Sequence, residues 1–298
     1  MHIETLDLAF QHTPQTIAAY LIEGPAGMVL VETGPGSTRH TLVDHLRQRH
    51  LQPRDLQAII VTHIHLDHAG AAGWFAQQGV PVYVHYVGAP HLIDPTRLLS
   101  SAARIYGDQM DTLWGEMLPA PADCVHALHD GDTITAGGLT FMAMHTPGHA
   151  SHHHVICLGD IAFVGDAGGI HLPGTDFVDL PAPPPEFDRE AWRQTIQKLM
   201  DAGFAGIYPT HFGLVTNPRA HFQAIGQLID QAVTFIDARL QANMPRDQLV
   251  SEYVNWIHQS ATAHHLSEDL FHRYAIANPH YMSVDGITRY LRRRQKSS

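Results

Sequence analysis

The sequence predicts an α/β fold followed by a C-terminal run of helices. Three observations carry this. Short β-branched apolar runs alternate with stretches of helical periodicity as far as residue 216. Turn residues such as Gly24-Pro25, Gly137-Gly138 and Gly159-Asp160 bound several of those runs. Beyond Asn217 only helical spacing remains. Alternation of this kind builds sheets covered by helices.

Residues 17–23 (IAAYLIE) and 28–32 (MVLVE) read as paired strands joined at Gly24-Pro25. Residues 37–50 read as a helix, capped by Ser37, with Leu42, Val43 and Leu46 on one face. The continuous apolar run 56–62 (LQAIIVT) is a strand buried on both faces. A helix over 69–78 and a strand at 81–85 follow, and 87–118 is a mostly helical insertion. LTFMAMH (139–145) is a strand, and HVICL (154–158) with IAFVG (161–165) forms a hairpin. PAPPP (181–185) is a stiff extended connector. Asp188 caps a helix that buries Trp192, Ile196, Leu199 and Met200, and GIYPT (206–210) is a short strand. Asn217-Pro218 then opens a long helix carrying Phe222, Ile225, Ile229, Ala232, Ile236 and Leu240. The expected division is a catalytic unit over 1–216 and a helical extension over 217–298.

Composition narrows the function. A chain of 298 residues, 44% hydrophobic, buries one large core or a core plus a small second unit. No apolar run reaches 18 residues, so no transmembrane helix and no membrane partner is expected. MHIETLDLAF lacks a basic region followed by an apolar stretch, which argues against a secretory signal. Cys124 and Cys157 cannot build a disulfide framework, so two reduced thiols in a cytoplasmic protein are expected. A net charge of −11 argues against a nucleic-acid surface. Arg289, Arg292, Arg293, Arg294 and Lys296 are read as a solvated helix end, where cations suit the helix dipole.

THIHLDHAG (62–70) places His63, His65, Asp67 and His68 within six positions. In a chain with 25 histidines such a pattern arises by accident about once in a hundred shuffles. Its placement removes the ambiguity. Four predicted strands are each followed by ligand-type residues: IIVT by His63, His65, Asp67 and His68; FMAMHTPG by His149; AFVG by Asp166; IYPT by His211. Loops held by a rigid sheet are the usual support for a site. Imidazole and carboxylate donors suit zinc, iron or manganese. Three histidines can hold one ion with an open position, two histidines and a carboxylate can hold another, and an aspartate between them can bridge. Two such ions about 3.5–4 Å apart activate water and stabilise an oxyanion without a serine or cysteine nucleophile.

These segments resemble the metallo-β-lactamase superfamily: H-x-H-x-D-H, TPGH around His149, GD at Asp166 and THFG at His211, over roughly residues 15–216. The resemblance implies an αββα sandwich with two divalent ions, zinc foremost, at one edge. It assigns His63, His65 and His149 to the first metal, Asp67, His68 and His211 to the second, and Asp166 to both. Asp67 and Asp166 become the catalytic carboxylates, with Asp67 or the bridging hydroxide handling proton transfer. Where many members carry Asp-Thr-Gly, whose aspartate supports the site from behind, this chain has Glu32-Thr33-Gly34, so Glu32 is weighed between that supporting role and a turn residue with no role. His152, His153 and His154 are read as surface or supporting residues that alternate along a strand. His171, on the loop after Asp166, is weighed between substrate contact and structure, and His264, His265, His272 and His280 as structural or solvated.

The implied activity is hydrolysis of an ester-like bond of a small molecule, a thioester or lactone foremost. The 87–118 insertion and the C-terminal helices are expected to roof the pocket, and such appendages suit a homodimer. The nearest alternative is a mononuclear iron sulfur dioxygenase. A diiron oxygen-reducing protein is disfavoured, because that group usually has glutamate at the position of His65 and a flavin domain. Nuclease activity and passive metal storage are disfavoured too, by the charge and by the mixed donor set.

Overall fold

The computed structural model describes residues 1–297. Its first sheet has the order β1 (His2–Asp7), β2 (Ala18–Gly24), β3 (Gly27–Val31), β4 (Leu56–Ile60), β5 (Val82–His85), β6 (Val125–Leu128). The β1–β2–β3 ladders are antiparallel, and β3 to β6 are parallel. The second sheet consists of β7 (Thr133–Ala136), β8 (Leu139–His145), β9 (His154–Leu158), β10 (Ile161–Phe163) and β11 (Gly206–Tyr208) in spatial order β11-β10-β9-β8-β7. Only its β10–β11 ladder is parallel.

The helices are α1 (Arg39–Gln48), α2 (Leu66–Ala69), α3 (Ala72–Ala76), α4 (Ala89–Ile93), α5 (Thr96–Tyr106), α6 (Met110–Trp114), α7 (Arg189–Ala202), α8 (Pro218–Gln241), α9 (Arg246–Ala263), α10 (Glu268–Ala277) and α11 (His280–Ser297). Strand alternation explains how they layer. Tyr20, Ile22, Val29 and Val31 face the second sheet, packing in one core with Phe141, Ile156 and Phe163. Ala19, Leu21 and Leu30 point the other way, into a core with Leu42 and Leu46 of α1 and Phe75 of α3. Trp192, Ile196 and Leu199 of α7 and the buried face of α8 join the first core. The result is the expected αββα sandwich extended by C-terminal helices.

Several local expectations hold. Asp188 caps α7 by accepting from Ala191 N at 2.9 Å, and Asn217 caps α8 by accepting from Ala220 N at 3.3 Å. Others change. Ser37 is not a cap: its hydroxyl donates to the Leu113 carbonyl at 2.6 Å, and α1 begins at Arg39. A tertiary bond to α6 takes the group that local sequence assigns to the helix. The helix expected over 69–78 is two pieces, α2 and α3. β1, β6 and β7 were not anticipated. β1 is a sheet edge, largely half-buried and rich in polar residues, and the other two are four residues long, too short for periodicity to register.

The helical extension is tied to the sandwich by buried polar bonds. Asp179 Oδ2 accepts from Asn278 Nδ2 at 2.8 Å and from His280 Nε2 at 3.1 Å. Tyr274 Oη donates to the Phe177 carbonyl at 2.7 Å, and Ser283 Oγ to the Leu180 carbonyl at 2.6 Å. His264, His265 and His272 are exposed, whereas His280 is buried in this anchor. Of the terminal cations, Arg294 pairs with Glu190, while Arg289, Arg292 and Lys296 line a hollow beside Arg246. Among the described residues no helix is long and apolar enough to cross a membrane.

Candidate metal centre

The loops after β4, β8, β10 and β11 converge at one edge of the sandwich. There the donor atoms of His63, His65 and His149 lie within 4.8 Å of one another, as do those of Asp67, His68 and His211. Asp166 spans the two groups. Its Oδ2 is 3.4 Å from His149 Nε2, and its Oδ1 is 3.3 Å from His68 Nε2 and 3.6 Å from His211 Nε2. Asp67 Oδ2 lies 3.6 Å from His68 Nε2 and 3.5 Å from His211 Nε2. All seven residues named from the sequence therefore meet in one place.

Hydrogen bonding fixes which nitrogen of each ring is available. His149 Nδ1–H donates to the Pro181 carbonyl at 2.8 Å, and His211 Nδ1–H to the Thr16 carbonyl at 2.7 Å. His68 Nδ1–H donates to Glu32 Oε1 at 3.1 Å. Thr62 spends its hydroxyl proton on Glu32, so it accepts from His63 Nδ1–H at 3.1 Å. Each ring thus keeps its proton on the outer nitrogen and aims the Nε2 lone pair at the cluster. His65 Nδ1 lies 2.9 Å from both His63 Nε2 and His149 Nε2. One proton on that nitrogen satisfies only one of the two facing lone pairs. His68 Nε2 and Asp166 Oδ1 are buried without a hydrogen-bond partner among the described residues. Lone pairs converging on lone pairs and carboxylates call for cations between them.

Protonation follows the same division. Burial, with neighbouring rings, pushes His63 well below the usual histidine range and His65 down to about 3. Burial also lowers His149. These rings are neutral near pH 7, the state a metal ligand needs. Burial alone would lower His68, but the carboxylates of Asp67, Asp166 and Glu32 raise it well above the ordinary value. His211 is likewise raised, burial being outweighed by Asp67 and Asp166. Asp67, despite burial, is held down at about 2 by His68 and His211. Positive charge is favoured at this second position, whether carried by protons or by an ion.

Glu32 sits beneath the second group. Its side chain accepts from the Thr62 hydroxyl, from Thr62 N at 3.3 Å, from Thr210 Oγ1 at 3.1 Å and from His68. Its backbone lies in the left-handed region, φ 65°.

The histidine run behaves differently from its sequence reading. β9 begins only at His154, and all three side chains are buried. His154 donates from Nε2 to the Val61 carbonyl at 2.8 Å, and His153 pairs through Nδ1 with Thr146 Oγ1 at 2.9 Å. His152 Nε2 lies 2.8 Å from Glu186 Oε2, and its ring faces His65. Glu186 also accepts from Ser151 Oγ at 2.7 Å. A ring nitrogen of His152, one of His65 and a Glu186 oxygen lie within 4.8 Å of one another. Sequence reading missed Glu186 because 34 positions separate it from its partner and the proline run before it gives no ligand signal. His171 does not line the cavity described next; its backbone bonds to His211 and Phe212 instead.

A cavity of about 290 Å³ opens on the cluster, lined by His65, Asp67, His149, Asp166 and His211. Leu98, Ala102, Ile105 and Tyr106 of α5, Trp114 of α6, Pro183 to Pro185 and Met282 of α11 complete it. The insertion and the C-terminal helices do roof the site.

The profile of the Metallo-beta-lactamase superfamily matches residues 12–211. The chain belongs to that superfamily. Among curated relatives, the metallo-beta-lactamase fold-containing protein ST1585 of Sulfurisphaera tokodaii is 26% identical over 180 residues, 59% of this chain and 67% of that one. An atrochrysone carboxyl ACP thioesterase of Aspergillus fumigatus is 27% identical over 215 residues, 71% of this chain and 55% of that one. The chain thus spans between about half and two thirds of these relatives. Among solved structures, the metallo-beta-lactamase family protein TTHA1429 of Thermus thermophilus superposes with a TM-score of 0.71 at 20% identity, over 98% of this chain and 94% of the other. Membership in the metallo-β-lactamase superfamily implies divalent metal binding, and the converging lone pairs fit it.

Proposed function

We propose that this metallo-β-lactamase superfamily member is a hydrolase of an ester-like bond, a thioester or lactone, in a small molecule, with two divalent ions, zinc foremost. The observation that carries the reading is the arrangement of His63, His149, His68 and His211, each with its outer nitrogen tied to an acceptor and its inner lone pair aimed at a pair of three-donor groups. His63, His65 and His149 would hold one ion, Asp67, His68 and His211 the other, and Asp166 would touch both. Ions bound there supply an activated water at neutral pH and polarise a carbonyl oxygen.

The protein's own groups do the rest. Thr62, Pro181, Thr16 and Glu32 lock the imidazole orientations. Asp67, about one fifth exposed, lines the cavity as an ionised carboxylate whose proton affinity His68 and His211 lower, so it would relay a proton rather than hold one. The apolar roof limits water around the scissile bond. The thioesterase name of the Aspergillus relative supports the thioester branch.

Metal analysis of the purified protein, followed by a panel of thioesters, lactones, phosphodiesters and β-lactams, tests this. Two zinc ions per chain and cleavage of an acyl ester are expected. One iron per chain, with oxygen consumed on addition of a persulfide, would overturn it in favour of a sulfur dioxygenase.

A further inference from the structure

We propose that the cavity above the metal centre selects substrates by an apolar acyl chain, seated between α5 and the proline run. The proposal rests on the hydrolase reading and narrows its substrate class.

The cavity has two chemical sides. Its metal-ligand side chains come from the loops at the sheet edge, whereas α5 contributes Leu98, Ala102 and Ile105 at positions i, i+4 and i+7, one helix face, flanked on the same helix by the polar Arg97 and Ser101. Pro183, Pro184 and Met282 supply further apolar wall. Ile105 remains 37% exposed, although it is a large aliphatic side chain in a well-formed helix. Apolar surface left open beside a polar reaction centre is a recognition surface. At about 290 Å³ the space lies at the small end of ligand sites, which suits one acyl chain. An acyl group whose carbonyl lies beside Asp67, His149 and Asp166 would extend along these walls.

Each methylene transferred from water into such walls strengthens transition-state binding by about threefold to fourfold. The gain continues until the chain outgrows the cavity.

The test uses the zinc-loaded full chain. The value of kcat/KM is measured for acetyl, butanoyl, hexanoyl and octanoyl thioesters of N-acetylcysteamine. Calorimetry in parallel gives Kd for the matching straight-chain carboxylates. A rise in kcat/KM of at least about tenfold from acetyl to hexanoyl is expected, with Kd falling in step. Ala102→Phe, which fills the cavity, should lower the hexanoyl-to-acetyl ratio by at least about tenfold. Ile105→Trp, at a more open point of the same face, serves as the second variant should Ala102→Phe not fold. Unfolding temperature and metal content are checked for both.

Thioester cleavage with a flat chain-length series would overturn the acyl assignment and leave the hydrolase reading intact. No thioester cleavage, but carboxylate binding that tightens with length and weakens in the variants, would overturn the thioester branch of the hydrolase reading and support the cavity assignment. Neither cleavage nor length-dependent binding would overturn both the thioester branch and the cavity assignment.

Discussion

Replacing Glu32 by glutamine should perturb the candidate metal centre without touching any of the proposed metal-ligand atoms. Glu32 is buried and receives four donors: Thr62 Oγ1, Thr62 N, Thr210 Oγ1 and His68 Nδ1. Glutamine keeps the shape and one carbonyl oxygen but turns the other acceptor into an NH2 group. If that oxygen keeps Thr62 Oγ1, Thr210 and His68, the NH2 faces the Thr62 N–H, a donor against a donor. One buried unsatisfied group costs about 1–3 kcal/mol, and weakening a charge-assisted bond to His68 adds a comparable amount. The sum, about 2–6 kcal/mol, is a large share of an ordinary domain's stability. Altering the outer partner of a ligand histidine also typically costs about 10–100-fold in metal affinity. Urea unfolding reports the first quantity, and competition against a chromophoric chelator the second. An unfolding free energy within about 0.5 kcal/mol of the parent, together with metal affinity within about twofold, would refute the reasoning. Glu32→Asp should also weaken the metal, because the carboxylate then falls one methylene short of His68.

Three further outcomes are expected. Burial alone would raise Asp179, but His280 and Asn278 hold it below the usual carboxylate range. Its stabilisation is therefore complete above the unfolded carboxylate pKa of about 4 and is lost as pH falls through the lower folded value. Asp179→Asn should cost about 2–3 kcal/mol at pH 7 and flatten the acid limb of the stability curve; an unchanged limb between neutral and acid pH would count against the anchor. Stripping the metal with a chelator should lower the unfolding temperature, since an ion present at 100 times its Kd stabilises by about 2.7 kcal/mol, and calorimetry showing no shift after verified metal loss would contradict this. Gly148→Ala should displace the loop carrying His149, because Gly148 has φ 138° and an added Cβ would stand 2.3 Å from Trp192 Cα; full metal content in a variant with the parent's unfolding temperature would disprove it.

The amino-acid sequence by itself determined the α/β class, most strands and the seven candidate ligands. These signals are local: apolar period, turn residues, and histidines and aspartates placed just after strands. β2, β3, β4, β8, β9 and β10 fall where alternation and Gly-containing turns put them. The unanticipated strands β1, β6 and β7 are short or edge-lying, and depend on neighbours for their hydrogen bonds.

Only the tertiary structure decided what surrounds the ligands. Which ring nitrogen of His68, His149 and His211 carries the proton depends on acceptors elsewhere in the chain, at Glu32, Pro181 and Thr16, and for His63 on the neighbouring Thr62, whose hydroxyl proton is taken by the distant Glu32. Ser37 lost its capping role to Leu113, and the histidines at 152 to 154 proved buried in three separate environments, because long-range partners compete with local preference. The cavity, too, exists only where α5, the proline run and α11 meet. Donor identity is a property of the residue, whereas donor direction and the shape of the space it faces arise from packing between distant segments.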